Sequence, residues 1–193
     1  MNSAKNIFSG TTAFKKLIHL VNPDRPVLEI LMIHSTQVAL KALKGAAKVP
    51  HMNPDPDFIY SASLLHDIGI IFTHAPEIDC HGEAPYLCHG YLGAELLRKE
   101  GLSKEALVCE RHVGAGITLT EISEKSLPLP EKDFMPLSLE EKLIAWADKF
   151  YSKTPAKILT EKTIPEIVRE LEKFSPAKSE TFLEWNRLFN PPD

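Results

Sequence analysis

The most distinctive feature of this 193-residue sequence is an adjacent imidazole and carboxylate, His66 and Asp67, at the end of an apolar run. Both groups are costly to bury unless each has a hydrogen-bond or metal partner. His34 and Asp148 share helical faces with apolar residues, so we expect their side chains to point inward. Imidazole nitrogens and carboxylate oxygens are common ligands of divalent transition metals. The sequence therefore predicts a buried metal site with these four side chains as ligands.

Each of these four residues also has an ordinary structural interpretation. A single histidine or aspartate on an apolar helix face is usually hydrogen-bonded to a neighbouring polar group. The joint occurrence of all four in one chain, with two of them adjacent, favours the metal site over four separate structural roles.

The elements that must position these side chains are helical almost throughout. Apolar residues recur at helical spacing, and no alternating pattern flanked by hairpin turns is present. Capping and stop signals predict helices over 12–21, 26–48, 56–67, 86–100, 103–112, a stretch from 138 that contains Asp148, a stretch from 163, and 179–189. The segments 72–85 and 126–136 are predicted to be irregular. We therefore predict an all-α fold.

Composition limits the classes of partner. With 44% hydrophobic residues, the chain is long enough for one well-buried domain. A formal net charge of −4 argues against binding polymeric nucleic acid, but bound divalent cations can reverse the local sign for a small anionic substrate. No targeting segment and no apolar run of membrane-spanning length is visible, so we predict a cytoplasmic protein without a membrane partner.

The three cysteines, Cys80, Cys88 and Cys109, are odd in number and have no Cys-x-x-Cys spacing. Free thiols in a reducing compartment fit this pattern best. An alternative is a zinc site in which Cys80 and Cys88 join His81 and His89, although the spacing matches no standard structural zinc motif.

The order of the motifs resembles the HD superfamily of metal-dependent phosphohydrolases. A histidine, then His66-Asp67-Ile68-Gly69, then a distant aspartate matches the HDIG variant of its signature. The stretches 89–97 and 110–116 are also similar to small HDIG proteins of bacteria and archaea. The resemblance covers about residues 26–153. It implies one HD domain over 1–193, a helical bundle with its core at about 26–153 and a C-terminal helical extension over 154–193.

The resemblance also implies a second metal ion. His89 and His112 fall at the positions that bind it in binuclear family members, so Asp67 would bridge two ions. The alternative is that both histidines only cap helices or bind their last carbonyls. We therefore predict one or two divalent ions, with manganese, iron, cobalt, nickel or zinc favoured and magnesium also allowed.

The function implied is hydrolysis of a small phosphate ester or anhydride, such as a nucleotide, by a metal-activated hydroxide. Asp67 would orient the ions and the nucleophile, and Arg111 and Lys149 are candidates for binding the substrate phosphate. Ile70 stands where many HDIG relatives have lysine, which argues against cyclic-dinucleotide hydrolysis. Two alternatives stay open, a mixed-valence di-iron oxygenase of HD type and a non-catalytic binding module. A homodimer is also left open.

Overall fold

The computed structural model describes residues 3–22 and 24–191, with side chains described from residue 12 onward. The α-helices in these residues are α1 Ser3–Val21, α2 Val27–Lys48, α3 Pro56–Leu65, α4 His89–Lys99, α5 Ser103–Arg111, α6 Leu119–Glu124, α7 Leu139–Asp148, α8 Ile164–Glu172 and α9 Pro176–Phe189. Two short strands, β1 His74–Ala75 and β2 Cys80–His81, pair antiparallel. The predicted all-α fold is confirmed. Among the described helices, none combines the length and apolar character needed to cross a membrane.

Two of the predicted helix starts, those of α3 and α7, agree with local capping chemistry. The Asp55 carboxylate accepts the first free backbone N–H groups of α3, and Pro56 occupies the first helical position, where its missing N–H costs nothing. The Ser138 hydroxyl caps α7 by accepting the backbone N–H of Glu141 at 3.1 Å. The Glu141 carboxylate binds the backbone N–H of Leu137 instead of returning to Ser138, so the predicted capping box is only half formed.

Two local elements differ from the sequence interpretation. Helix α6 was not predicted, because its six residues are too few to display a helical period. Its start is a reciprocal cap in which Thr118 and Glu121 satisfy each other's backbone N–H groups. The segment 72–85, predicted to be irregular, contains one short 3₁₀ helix, Pro76–Ile78, and the two-residue strands. Strands this short carry no alternation for a sequence pattern to reveal.

The C-terminal helices belong to the same core as the helix that ends at Asp148. Trp146 of α7 is buried against the aromatic rings of Phe150 and Phe189, at centroid separations of 5.1 and 5.6 Å. Phe182 of α9 and Ile167 of α8 are buried in the same cluster. Burying aromatic side chains contributes strongly to stability, so α8 and α9 help to hold the end of α7 in place.

Gly69 allows the segment after Asp67 to cross closely over the start of α4. A Cβ at this position would lie 2.0 Å from the carbonyl oxygen of His89 and 2.4 Å from the backbone nitrogen of Gly93. Backbone atoms cannot move aside as a flexible side chain can. This close approach brings Asp67 and His89, which lie on different elements, next to each other.

We expect Gly69→Ala to destabilise the protein by about 3 kcal/mol, because the added methyl group overpacks against backbone. Chemical denaturation measures the loss. Gly101→Asn is the matched control. A Cβ at Gly101 meets nothing within 4 Å, and its positive φ of 76° is one that asparagine tolerates. Equal stability of the two variants would contradict the proposed close packing.

Candidate metal centre

Helix ends supply most of the predicted ligands. His34 lies within α2, His66 and Asp67 directly follow α3, and Asp148 is the last residue of α7. The other two predicted ligands also lie at helix ends. His89 is the first residue of α4, and His112 directly follows α5. All six residues are buried, none more than 7% exposed. The structure therefore brings together every predicted metal ligand.

The first group of ligand atoms contains two imidazoles and two carboxylates. His34 Nε2 lies 3.0 Å from Asp67 Oδ2 and 3.0 Å from Asp148 Oδ1. His66 Nε2 lies 2.9 and 3.4 Å from the same two oxygens. One potential ligand atom from each residue therefore faces a common point.

The second group uses the other oxygen of Asp67. Its Oδ1 lies 3.3 Å from Nε2 of His89 and 3.3 Å from Nε2 of His112. These two nitrogens lie 3.1 Å from each other. The carboxylate of Asp67 therefore stands between the two groups, with one oxygen toward each.

Backbone carbonyls fix the orientation of three of the imidazole rings. His66, His89 and His112 each direct Nδ1 at the carbonyl oxygen of the residue three positions earlier, which requires Nδ1 to be the donor. The acceptors are Ser63, Tyr86 and Cys109, at 2.6, 2.6 and 2.8 Å. Each ring therefore presents Nε2 to the cluster. A second hydrogen bond of this kind is typical of metal-binding histidines.

The spacing of the donor atoms fits a divalent metal. Metal–nitrogen bonds of about 2.0–2.1 Å at angles of about 90–109° place neighbouring ligand nitrogens about 2.8–3.4 Å apart. The Nε2 atoms of His89 and His112 fall in this range, and two facing lone pairs repel unless a cation lies between them. His66 Nε2 and Asp67 Oδ1 are buried without a hydrogen bond of acceptable geometry. Unsatisfied buried polar atoms are costly, so the donor set is suited to cations.

The charges of the cluster shift its pKa values in opposite directions. Burial alone would lower the pKa of His66, but the charges of Asp67 and Asp148 outweigh it and raise that pKa to about 9. Burial would raise the pKa of Asp67, yet His66 and Lys153 hold it well below its ordinary value. Burial dominates at His112 and lowers its pKa to about 4 despite Asp67. Near neutral pH, His66 is therefore protonated and His112 is neutral.

We expect metal binding to the first group to release about one proton per ion at pH 7, because His66 must lose its proton to coordinate. Apparent affinity should therefore weaken about tenfold for each pH unit below 9. The second group should release no proton from His112, which is already neutral. Calorimetric titration in buffers of different ionisation enthalpy counts the protons. A binding enthalpy that is independent of the buffer would contradict this expectation.

Lys153 is a member of the site that sequence reasoning missed. Its Nζ lies 2.7 Å from Asp67 Oδ2 and 3.9 Å from Asp148 Oδ1, and its side chain is 14% exposed. Burial would lower its pKa, but the charge of Asp67 raises it instead, so the ammonium stays charged. The only sequence signal is a lysine five residues after Asp148. The backbone turns just after α7, with the N–H of Tyr151 bonded to the carbonyl of Asp148, and this return carries Lys153 to the cluster.

The two predicted phosphate ligands lie in different surroundings. Lys149 Nζ lies 2.7 Å from Asp148 Oδ2, the oxygen of that carboxylate that does not face His34. The Arg111 guanidinium is bound to both oxygens of Glu141, at 3.0 and 3.2 Å. A cavity of about 260 Å³ adjoins the cluster and is lined by Asp148, Lys149 and Lys153, but not by Arg111. The structure therefore brings Lys149 to the site and not Arg111.

The cysteine-based zinc alternative finds no support. Cys80 and Cys88 are buried, and their thiols face the backbone carbonyls of Ile78 and Pro128. Within the part of the chain that the structure describes, neither belongs to a group of side chains that could hold a metal. The exposed His81 contacts Asp79 at 3.2 Å.

Comparison with known proteins identifies the family of this chain. A family model described as the HD domain matches residues 31–152, which include all six predicted ligands. This chain belongs to the HD domain family. The superfamily of metal-dependent phosphohydrolases indicated by the sequence motifs is therefore confirmed.

Curated relatives match this chain over part of their length. The chain is 39% identical over 120 residues to the uncharacterised protein MJ0778 of Methanocaldococcus jannaschii, a match that covers 62% of this chain and 60% of that protein. It is 34% identical over 125 residues to a tRNA (cytidine(56)-2'-O)-methyltransferase of Picrophilus torridus, covering 64% of this chain and 32% of the methyltransferase. The chain thus spans between a third and three fifths of the length of these relatives.

A solved structure supports the fold assignment. The HD domain of the L. monocytogenes phosphodiesterase PgpH aligns with a TM-score of 0.50 and 15% sequence identity, covering 88% of this chain and 94% of that chain. At this identity the likeness concerns the fold. The HD arrangement of helices therefore accounts for most of this chain.

Proposed function

We propose that this HD domain protein is a divalent-metal-dependent phosphohydrolase acting on a small phosphate ester or anhydride of nucleotide size. The observation that carries this proposal is the position of Asp67 between two groups of ligand atoms, one facing each carboxylate oxygen. A carboxylate shared in this way is suited to bridge two ions, and paired ions are a common device for cleaving phosphate bonds.

The predicted ligands fall into two sets, one for each metal ion. His34, His66 and Asp148 would hold one ion with Asp67, and His89 and His112 would hold the other. When bound, a divalent ion lowers the pKa of water toward neutrality and polarises phosphoryl oxygens. Burial of the cluster limits solvent access and strengthens its electrostatic interactions.

Lys153 and Lys149 supply the positive charge that the chain itself offers to a phosphate. The Lys153 ammonium contacts Asp67, so it would lie beside a phosphoryl group bound at the cluster. Lys149 approaches from the other side of the Asp148 carboxylate. Ammonium groups fixed next to developing negative charge stabilise a transition state without further reorganisation. These lysines provide a phosphate contact although Ile70 replaces the lysine that many HDIG relatives carry.

The size and charge of the molecule favour a small substrate over a polymer. The cavity beside the cluster is about 260 Å³, just below the range of about 300–1,000 Å³ for small-molecule sites. The net charge of −4 offers no broad cationic surface for a nucleic acid backbone.

Phosphate release after metal replacement tests the proposed function. The protein is stripped with a chelator, reloaded separately with each of manganese, iron, cobalt, nickel, zinc and magnesium ions, and incubated with a panel of phosphate monoesters, diesters and anhydrides. We expect phosphate release with at least one metal and none without metal. No release from any member of the panel with any metal would contradict the proposal. A mixed-valence iron signal in electron spin resonance, without phosphate release, would favour an oxygenase instead.

Replacement of His112 tests whether the centre is binuclear. We expect His112→Asn to lower the bound metal from two ions to one per chain, because the second group loses one of its three ligands. Elemental analysis of dialysed protein measures the stoichiometry. His51→Asn is the matched control, since His51 is exposed and outside both ligand groups. Equal metal content in wild type and His112→Asn would contradict a role for His112 as a ligand.

A further inference from the structure

The cavity beside the metal centre has two chemically different sides. Asp148, Lys149 and Lys153 line it where it meets the cluster. The C-terminal segment lines another side, where the apolar side chains of Ile167, Leu171 and Phe174 lie beside three charged residues, Lys162, Glu170 and Lys178. We call the three apolar residues the apolar wall. A cavity that is charged on one side and apolar on another is suited to an amphiphilic molecule.

We propose that the apolar wall binds the leaving group of the substrate, that this leaving group carries an aromatic or heterocyclic ring, and that helix α8 with Phe174 thereby determines which esters are cleaved. The inference rests on the proposed phosphohydrolase function. It adds the chemical class of the leaving group and assigns a role to the C-terminal helices.

Charge in the cavity favours placing the phosphate near the cluster and a neutral group at the wall. The two lysines that the C-terminal segment contributes to the lining are already paired. Lys162 lies 2.6 Å from Glu170, and Lys178 lies 2.9 Å from Glu121. Lys149 and Lys153, in contrast, contact Asp148 and Asp67, which are also predicted metal ligands. When metal ions bind these carboxylates, they neutralise part of the negative charge, and the two ammonium groups can then attract a phosphate. The three wall residues are uncharged, and the carboxylate of Glu170, which lies between two of them on α8, is paired with Lys162.

Two of the three residues of the apolar wall are fixed by packing into the hydrophobic core. Ile167 and Leu171 are 1% and 5% exposed, and both pack into the core cluster that contains Phe150 and Phe182. Phe174 differs, because it lines the cavity while 67% of its surface stays exposed. A large aromatic side chain left open beside a cavity offers a ring face on which a flat apolar group can stack.

The wall lies outside the part of the chain that the family model matches. That match ends at residue 152, whereas the wall residues all follow residue 160. The wall therefore lies outside the segment on which the family assignment rests. The cavity volume of about 260 Å³ lies just below the range of about 300–1,000 Å³ for small-molecule sites, which favours a compact ligand.

Substrate preference in a Phe174→Ala variant tests the inference. The ratio of kcat/KM for adenosine 5′-monophosphate to kcat/KM for glycerol phosphate is measured in metal-loaded wild type and variant. We expect Phe174→Ala to lower this ratio about tenfold, mainly by raising the KM for adenosine 5′-monophosphate. Phe174→Trp, which keeps an aromatic ring at this position, should have the wild-type ratio. Leu159→Ala is the matched control, because Leu159 is 79% exposed and does not line the cavity. It should leave the ratio unchanged.

Equilibrium binding gives a second readout that does not need turnover. Calorimetry compares adenosine 5′-monophosphate with ribose 5-phosphate, and we expect the nucleotide to bind about tenfold more tightly to wild type and equally to Phe174→Ala. A wild type without preference for the ring, or a Phe174→Ala variant that keeps the preference, would overturn the inference. Phenyl phosphate bound as tightly as the nucleotide would support ring recognition without selection of a base. Failure of wild type to cleave any ester contradicts the proposed function alone, because the binding experiment still tests the wall.

Discussion

Asp67→Ala is expected to lose both metal ions and to lower phosphate release by at least about 1,000-fold. Asp67 is the only residue shared by the two ligand groups, with Oδ2 facing His34 and His66 and Oδ1 facing His89 and His112. Removing a carboxylate from a buried site of this kind also leaves the neighbouring Lys153 ammonium without its closest partner. Elemental analysis and phosphate release measure the two effects on the same sample.

Two further variants separate this effect from unfolding. Asp67→Asn keeps the shape of the side chain but not its charge, and it should also lose metal while retaining helical circular dichroism. Asp24→Ala removes an exposed aspartate that belongs to neither ligand group and should behave as wild type. Full metal content together with full turnover in Asp67→Ala would show that Asp67 is not a bridging ligand.

Lys153→Met is expected to lower kcat by about 100-fold while the metal content stays at the wild-type level. The loss of a single fixed donor of positive charge typically costs about 100- to 1,000-fold in kcat. Methionine retains much of the length and apolar character of the lysine side chain, so packing should change little. Steady-state kinetics on the most active ester, with elemental analysis of the same preparation, measure the effect.

Lys149→Met is the matched comparison for Lys153→Met. Lys149 contacts the outer oxygen of Asp148, whereas Lys153 contacts Asp67 itself. We expect kcat to fall less than about tenfold in Lys149→Met. Lys153→Arg, which keeps the charge, should have a higher kcat than Lys153→Met. A larger loss of kcat in Lys149→Met than in Lys153→Met would show that Lys149, the residue predicted from the sequence, is the main phosphate ligand.

Much of the fold could be predicted because capping residues and prolines mark where helices begin. Asp55, Ser138 and Thr163 each precede a helix in the structure as their sequence context predicts. Ser103 is displaced by one residue, since it is the first residue of α5 and makes no capping hydrogen bond. Helix α6 and the strands at 74–81 were missed because they are shorter than the periods that reveal such elements.

The candidate site could be predicted in part, since histidine and aspartate on apolar helix faces can be recognised in a sequence as polar groups that need a buried partner. The structure brings the six predicted ligands together, and their binding of metal stays a prediction. Lys153 was missed because its position depends on the turn after Asp148, and lysine near a helix end is usually solvated. Arg111 is adjacent to His112 in the sequence, but neighbouring residues on a helix point in different directions. Its guanidinium reaches Glu141 instead.

Anomalous X-ray scattering at several metal absorption edges, from crystals grown without chelator, tests the binuclear centre most directly. We predict two anomalous peaks on opposite sides of the Asp67 carboxylate. One should be bound with His34, His66 and Asp148, and the other with His89 and His112. A crystal of fully active protein with no ion bound to Asp67, or with its ions bound elsewhere, would contradict this assignment.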